Sequence, residues 1–426
     1  MSTLDILLAL AARPDLPDDA RAMARLSLFD WMVCGLAGVD EPVAQALRAC
    51  LGGEGGTPVA TLMGGPRLPA RAAAMVNGAT SHALDYDDTH FAHVGHLSAG
   101  ICPAALAAGE QVGASAAAVA DAFLVGAEAA IRVGLHLGRA HYDRGFHQTA
   151  TAGAFGATVA AARLYGLTPA QLRAAIGLCA TRASGLKGQF GTMGKPLNAG
   201  IAAANGVECA GFARAGLTSA DDGLEGPQGF IPTHADAPDP AAALSDRFLF
   251  TDIRYKLHAC CHGTHAMIEA LRPVAPARIA ALELRTAPRW LSVCDIKRPR
   301  TGLEVKFSYA WLAAMVLSGI PTASDRSYTD ARAADPLLAA IARRVTVTGD
   351  RSLTDMQVAG EVTLADGSRR AICHDLAAPI THDRLAESLR AKGEALIGPR
   401  ADLLWQAVSR LESLSARDLG RLLGAA

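Results

Sequence analysis

The sequence is poor in aromatic side chains: Phe, Tyr and Trp make up only 5% of its 426 residues. A core short of large rings has to be filled by small aliphatic groups. The 42 glycines, in a chain that is 50% hydrophobic, agree with this. Small side chains let helices approach closely, which predicts a tightly packed helical body. Net charge is also lacking, since 40 basic residues against 41 acidic ones leave −1, and no run of five basic residues occurs. Without such a footprint no nucleic-acid partner is expected. The most apolar long window, 116–133, carries Asp121, Glu128 and Arg132. A membrane span is nearly charge-free over about 20 residues, so the window reads as a buried helix and no membrane partner is expected. The N-terminus has no basic segment ahead of an apolar one, so no signal peptide is expected. Of nine cysteines only Cys260 and Cys261 are adjacent, and the count is odd. Reduced thiols in a cytoplasmic protein are the expectation.

Up to about residue 270 the pattern is helical, punctuated by Gly and Pro. Pro17-Asp18-Asp19 marks a helix start running through Met23, Leu26, Leu28, Met32 and Val33. Thr149 to Tyr165 predicts a crowded central helix, Thr168-Pro169-Ala170-Gln171 a capped start, and Pro196 to about Gly216 a further helix. Beyond residue 275, Leu282-Glu283-Leu284-Arg285, Val345-Thr346-Val347-Thr348 and Glu361-Val362-Thr363-Leu364 alternate as half-buried strands do. Asp366-Gly367 is a hairpin signal, Tyr309 to Leu317 reads as a helix, and helices resume near 385. The expected fold is mainly α. A large all-helical domain (1–269 and 396–426) would carry a smaller inserted α+β lid domain (270–395), and a cleft between domains favours a small-molecule site.

Four segments hold polar residues that such a chain needs for chemistry. Asp85-Tyr86-Asp87-Asp88-Thr89-His90, with His93 and His96-Leu97-Ser98, is either an acidic loop capping a helix from about Pro103 or a reactive cluster. His90, His93, His96 and Asp87 have ligand-like spacing for a metal, as do Cys260, Cys261, His262 and His265. No HExxH or CxxC pattern supports either set, and the adopted reading has no metal and no cofactor. In Tyr142-Asp143-Arg144-Gly145-Phe146-His147, His147 would sit at the positive end of a helix capped by Gln148 or Thr149. That position keeps an imidazole neutral, as base or donor. Gly188 to Asn198 resembles a phosphate loop only superficially, because Gln189 and Pro196 stand at two positions GxxxxGK[ST] requires. What remains is a glycine loop bringing Lys195 to a helix N-terminus. Finally, Lys256-Leu257-His258-Ala259-Cys260-Cys261-His262-Gly263-Thr264-His265 lies near the expected domain boundary, and Lys306 to Trp311 opens a helix of the smaller domain.

The stretches HALDYDDTH, HLS, YDRGFHQTATAGAFGATVAAARLYGL, GTMGKPLNAGIAAANGVECAGFARAGLT, LEGPQGF, KLHACCHGTHA and KFSYAW occur in the order seen in the MmgE/PrpD family, which the chain resembles over about residues 5–320. The resemblance implies a helical large domain, a smaller lid, a homodimer, and cofactor-free chemistry on small di- or tricarboxylates. Carried over by motif, it implies catalytic roles for Asp85, His96, His147, Lys195 and Lys256, with Thr89 binding a carboxylate. Tyr142 is a candidate acid, and Cys261 and His262 are candidate substrate contacts. Cys261 stands where the decarboxylase branch has a histidine, and Trp311 where KFSxxY has a tyrosine. The shared chemistry is proton removal next to a carboxylate, which needs a base and a sink for enolate charge. Those departures favour an epimerase of an iminodisuccinate-like amino-polycarboxylate. The alternatives are a 2-methylcitrate-type dehydratase or cis-aconitate-type decarboxylase, then a non-catalytic carboxylate-binding protein or a metal-dependent hydrolase.

Overall fold

The computed structural model describes residues 1–424. The chain forms two compact units, Met1–Tyr255 with Ile397–Ala426, and Lys256–Leu396. The first is built from α1 (Thr3–Ala12), α2 (Asp18–Ala37), α3 (Pro42–Gly52), α4 (Ala70–Ser81), α5 (Ser98–Val112), α6 (Ala116–Arg144), α7 (Thr151–Leu164), α8 (Pro169–Ala180) and α9 (Gly194–Arg214). A two-residue ladder, Ala60–Thr61 with Arg67–Leu68, and isolated bridges such as Thr89 with Arg254 depart from an all-helical unit.

Its centre is α4, α5, α6, α7 and α9, packed on one another through Ala and Gly. A Cβ on Gly126 would lie 2.5 Å from the Gly156 carbonyl oxygen, and one on Gly156 would lie 2.4 Å from that of Gly126. Gly78 and Gly200 meet in the same way, with the built Cβ of Gly78 2.9 Å from the Gly200 Cα. These glycines permit backbone contact that any side chain would block, so the shortage of aromatics reflects close helix packing.

The apolar window lies in α6, and its charges are accounted for. Arg132 Nε donates to Glu128 Oε1 at 2.7 Å, its guanidinium also reaches the carbonyls of Ala243, Ser245 and Arg247, and Glu128 accepts from the Phe250 N–H. Asp121 pairs with Arg21. Among the described residues no single helix is long and apolar enough to cross a membrane. The bent pair α2 and α3, at 86°, meets that test only jointly, by length and composition. Gly138, at φ 72°, breaks α6 and redirects its last turns.

Local signals account for most helix starts. Thr168 and Gln171 form a complete capping box on α8. Two starts differ from the sequence expectation. Helix α5 begins at Ser98 rather than near Pro103, because Asp88 accepts from the backbone N–H groups of Leu97 and Ser98 and from the Ser98 hydroxyl. Neither Gln148 nor Thr149 caps α7, whose N-cap is Ala150. Gln148 instead donates to the Gly138 carbonyl, and Thr149 accepts from the His96 N–H.

The second unit holds a four-stranded sheet of β1 (Ile279–Thr286), β2 (Val345–Gly349), β3 (Gln357–Leu364) and β4 (Arg369–Asp375), in the order β2-β1-β3-β4. β1 pairs parallel with β2, Leu284 opposite Val347, and antiparallel with β3, Leu284 opposite Gly360. Leu282, Leu284 and Thr286 are buried while Glu283 and Arg285 face out, the alternation read from sequence. The β3–β4 hairpin turns at Asp366-Gly367, with Gly367 at φ 85°. This unit also holds helices α10 (His265–Leu271) and α11 (Tyr309–Leu317), and α10 packs on β3 and β4. Residues 256–269, expected with the helical domain, therefore group with the sheet. Helix α12 (His382–Ile397) leads back to the first unit.

Candidate active site

Four helix ends of the first unit bring together the polar residues of segments distant in sequence. His82 is the C-cap of α4, His96 precedes α5, His147 precedes α7, and Lys195 lies in the first turn of α9. Pro196 follows Lys195 without cost, since an N–H in the first turn has no helical partner. Three helix N-termini thus converge, and their partial positive charge favours anions and disfavours imidazolium.

Two carboxylates flank His96. Asp87 Oδ2 lies 3.2 Å from its Nδ1, and Asp85 Oδ1 lies 3.5 Å from its Nε2. The intervening turn depends on Asp85, whose φ of 52° is left-handed, a conformation Asp tolerates better than most residues. Asp85 also binds Lys195, whose Nζ is 2.7 Å from Oδ1. Asp87 is fully buried and accepts from His82 Nδ1 at 2.9 and 3.0 Å. Burial alone would raise Asp87, but the two facing imidazoles hold its carboxyl well below the usual range. Burial pushes His82 down to about 4 against the pull of Asp87, so at neutral pH a carboxylate faces a neutral imidazole. His82 Nε2 is buried without a hydrogen-bond partner.

His147 is held differently. The Asn198 Nδ2 donates to the Leu186 carbonyl at 3.3 Å and lies 3.2 Å from His147 Nδ1. Because a carbonyl can only accept, that Asn198 atom is the amide NH2. His147 Nδ1 must then accept, and the ring proton sits on Nε2. Burial, then His82 and Lys195, push the His147 pKa well below its ordinary value, so it is a neutral N–H donor. Of the two roles open from sequence, the geometry supports the donor. The ring stacks near His82, at 6.0 Å, and meets Phe190 edge-on at 5.0 Å.

The structure therefore groups Asp85, His96, His147 and Lys195, as expected, and adds His82, Asp87, Asn198 and Phe190. From sequence Asp85 would orient a histidine or pair with a lysine, and it stands 2.7 Å from Lys195 Nζ and 3.5 Å from His96 Nε2. Asp87, whose spacing suggested a metal ligand, lies against Nδ1 of the same His96 ring. Thr89 has a buried hydroxyl without a partner, and its backbone pairs with Arg254 in both directions. Tyr142 lies on the redirected end of α6. Its carbonyl accepts from Lys187, whose Nζ also sits 3.7 Å above the ring. Lys256, Cys261 and His262 belong to the second unit. There Lys256 and His262 are buried, Cys261 is half-buried and hydrogen-bonded to Cys294, and His262 lies 4.8 Å from His265. All nine cysteines are free thiols.

The metal set suggested by spacing does not assemble. His90 Nε2 bonds the Leu249 carbonyl and its Nδ1 accepts from the His93 N–H, so neither nitrogen is available. His82, Asp85, Asp87 and His96 do place ligand atoms within 4.8 Å of one another. A cation there would compete with the Lys195 ammonium already on Asp85 and with the imidazole protons facing Asp87.

Fold and site define a class: a mainly helical chain with an α+β insertion and an acid–base cluster at converging helix ends. The MmgE/PrpD N-terminal domain matches residues 8–243 and the MmgE/PrpD C-terminal domain residues 258–403, and the chain belongs to the MmgE/PrpD family. It is 30% identical to the "Cis-aconitate decarboxylase-like protein oryM" of Aspergillus oryzae over 298 residues, 65% of this chain and 62% of that protein. It is 30% identical to the cis-aconitate decarboxylase of Aspergillus terreus over 278 residues, 61% of this chain and 57% of that one. With the Homo sapiens cis-aconitate decarboxylase the identity is 28% over 281 residues, 61% and 58% of the two chains. The chain thus spans less than two thirds of the length of the curated relatives it matches.

Proposed function

We propose that the chain is a cofactor-independent lyase acting on a small polycarboxylate, in the manner of its decarboxylase relatives. The observation that carries this reading is the trio of Lys195, His96 and His147 at converging helix ends, in a chain whose relatives include cis-aconitate decarboxylases. Breaking a C–CO2 bond in an unsaturated tricarboxylate leaves an electron pair conjugated onto a neighbouring carboxylate, and one proton must then reach carbon. Lys195 would hold a substrate carboxylate by sharing its ammonium with Asp85. His147, neutral and protonated on Nε2, would donate a hydrogen bond to the growing charge without adding a proton of its own. His96 would take up a proton from solvent at Nε2, deliver it to that carbon and return to its neutral form. Thr89 is the further carboxylate contact.

The second reading is epimerisation of an amino-polycarboxylate, in which the same groups remove and return a proton at one carbon. It is favoured by the residues that replace the decarboxylase pattern. Trp311, at the tyrosine position, is buried and donates its indole N–H to the Arg332 carbonyl, so it supplies no acid.

Proton NMR in D2O with cis-aconitate, 2-methylcitrate, citrate and iminodisuccinate separates the readings. Loss of CO2 with deuterium entering carbon supports the decarboxylase, and loss of water the dehydratase. Deuterium exchange next to a carboxylate without loss of either supports the epimerase. Inert behaviour with all four overturns the substrate class. A homodimer is the proposed assembly, to be read by light scattering.

A further inference from the structure

Most of the other candidate groups in the first unit are already satisfied. His141 bonds the His234 carbonyl and the Thr151 hydroxyl, and Asp88 caps α5. The groove lined by Arg182, Gln228 and His234 contains an arginine already bound to Glu208 and Asn205. Asp87 is different, because it is fully buried and faces two imidazoles at once.

We propose that Asp87 is the positioning residue of the site, accepting the Nδ1 protons of both His82 and His96 and so leaving Nε2 as the one position at which His96 exchanges a proton. The inference rests on the acid–base reading above and deepens it. A buried carboxylate needs donors, because it has exchanged water for the protein interior. The imidazole nitrogens facing Asp87 are His82 Nδ1, hydrogen-bonded at 2.9 Å, and His96 Nδ1, at 3.2 Å in a contact whose angle falls short of a hydrogen bond; a small turn of the His96 ring completes it, with both protons on Nδ1. The His96 ring is then turned with Nε2 towards Asp85 and Lys195, the half-exposed side of the cluster. His147, fixed by Asn198 in the opposite tautomer, presents an N–H. One ring offers a lone pair and the other a donor, a difference that two histidines lacking these partners would not maintain. His82 acts on Asp87 rather than on substrate: it fills the second lone-pair direction and its ring, 4.5 Å from that of His96, walls the site.

The test reads the tautomer directly, by two-bond proton–nitrogen correlation spectra of the intact, histidine-labelled protein without substrate. The His96 signal is assigned by its loss in His96→Gln. The wild-type spectrum is expected to show the His96 proton on Nδ1. Asp87→Asn, which can turn its amide N–H towards one ring, is expected to lose that signature. On whichever polycarboxylate reacts, the variant is expected to lower kcat by at least about 100-fold with KM within about threefold, as when a triad carboxylate is replaced by its amide. A wild-type His96 protonated on Nε2 overturns the proposal, and so does a variant that keeps both the Nδ1 signature and wild-type turnover. Should Asp87→Asn not fold, the wild-type spectrum alone still decides. Should no polycarboxylate react, the functional reading fails while the spectrum still answers for Asp87.

Discussion

His90, His93 and His96 come from one short loop of the helical unit, yet they sit in different chemical circumstances. His90 uses both nitrogens on backbone groups. His93 is wedged between the sites where Gly95 and Gly134 would carry a Cβ, and burial, then its neighbours His90 and His96, push it down to about 3. His96 instead stands between two carboxylates, one of them bound to a lysine. The first two are neutral rings used for packing and backbone bonding. The third is poised between charges. Spacing along the chain treats the three alike, and only the identity of each ring's partners separates structure from chemistry.

That contrast predicts a graded series of effects. Lys195→Met removes the ammonium paired with Asp85 and is expected to lower turnover about 100- to 1000-fold with little change in Tm, read by steady-state kinetics beside thermal unfolding. An unchanged kcat/KM would remove Lys195 from the chemical group. Acid should act on both groups together. Burial is the main cause that lowers the pKa of His82, His90, His93, His136, His141, His147 and His265. For His265 the neighbouring His262, His258 and Lys256 add to it. In the unfolded chain these rings take up protons near pH 6.5, whereas the native rings stay neutral to lower pH. The unfolded state then binds more protons, so stability should be flat above pH 7 and fall as the pH drops from about 6.5 towards 4. The fall in His82 alone, to about 4, is worth about 3 kcal/mol across that window. Urea midpoints measured at pH 7.5, 6, 5 and 4 check the direction, and a midpoint that rises on acidification would contradict it.

The packing side of the contrast is probed by His141→Phe. It strands the His234 carbonyl and removes one of two partners of the Thr151 hydroxyl, and should cost about 1–3 kcal/mol of stability in urea while turnover per folded molecule stays within about threefold. A large loss of turnover at unchanged stability would move His141 to the chemical group. The smallest effect expected is that of a chelator. Because the Lys195 ammonium already sits on Asp85, turnover in excess EDTA should match the untreated rate within about twofold. Loss of turnover restored by zinc would instead make His82, Asp85, Asp87 and His96 ligands.

The regular parts of this architecture could be read from sequence. The alternation of Leu282 to Arg285, the Thr168 capping box and the helix from Tyr309 to Leu317 depend on neighbours within a few residues, and each is found where local pattern put it. The start of α5 could not be read so, since it is set by Asp88, ten residues before Ser98 along a folded-back loop. The parallel pairing of β1 with β2 joins segments some sixty residues apart, and no local periodicity encodes it. At the site, motif order found Asp85, His96, His147 and Lys195. It missed His82 and Asn198, which look like ordinary helix residues until Asp87 and His147 are placed against them.

The glycine contacts between α6 and α7 and between α4 and α9 bear on heat and pressure as well as on packing. Where main chain rests on main chain there is no rotamer to loosen, and such an interior compresses little. The spacing of His82, His147 and Lys195, each at an end of one of these helices, is then set by a framework with few soft parts. Over the range in which the fold persists, the geometry of the cluster should respond little to temperature or hydrostatic pressure. Its adjustment to different substrates would fall to Phe190 and the glycine loop around it.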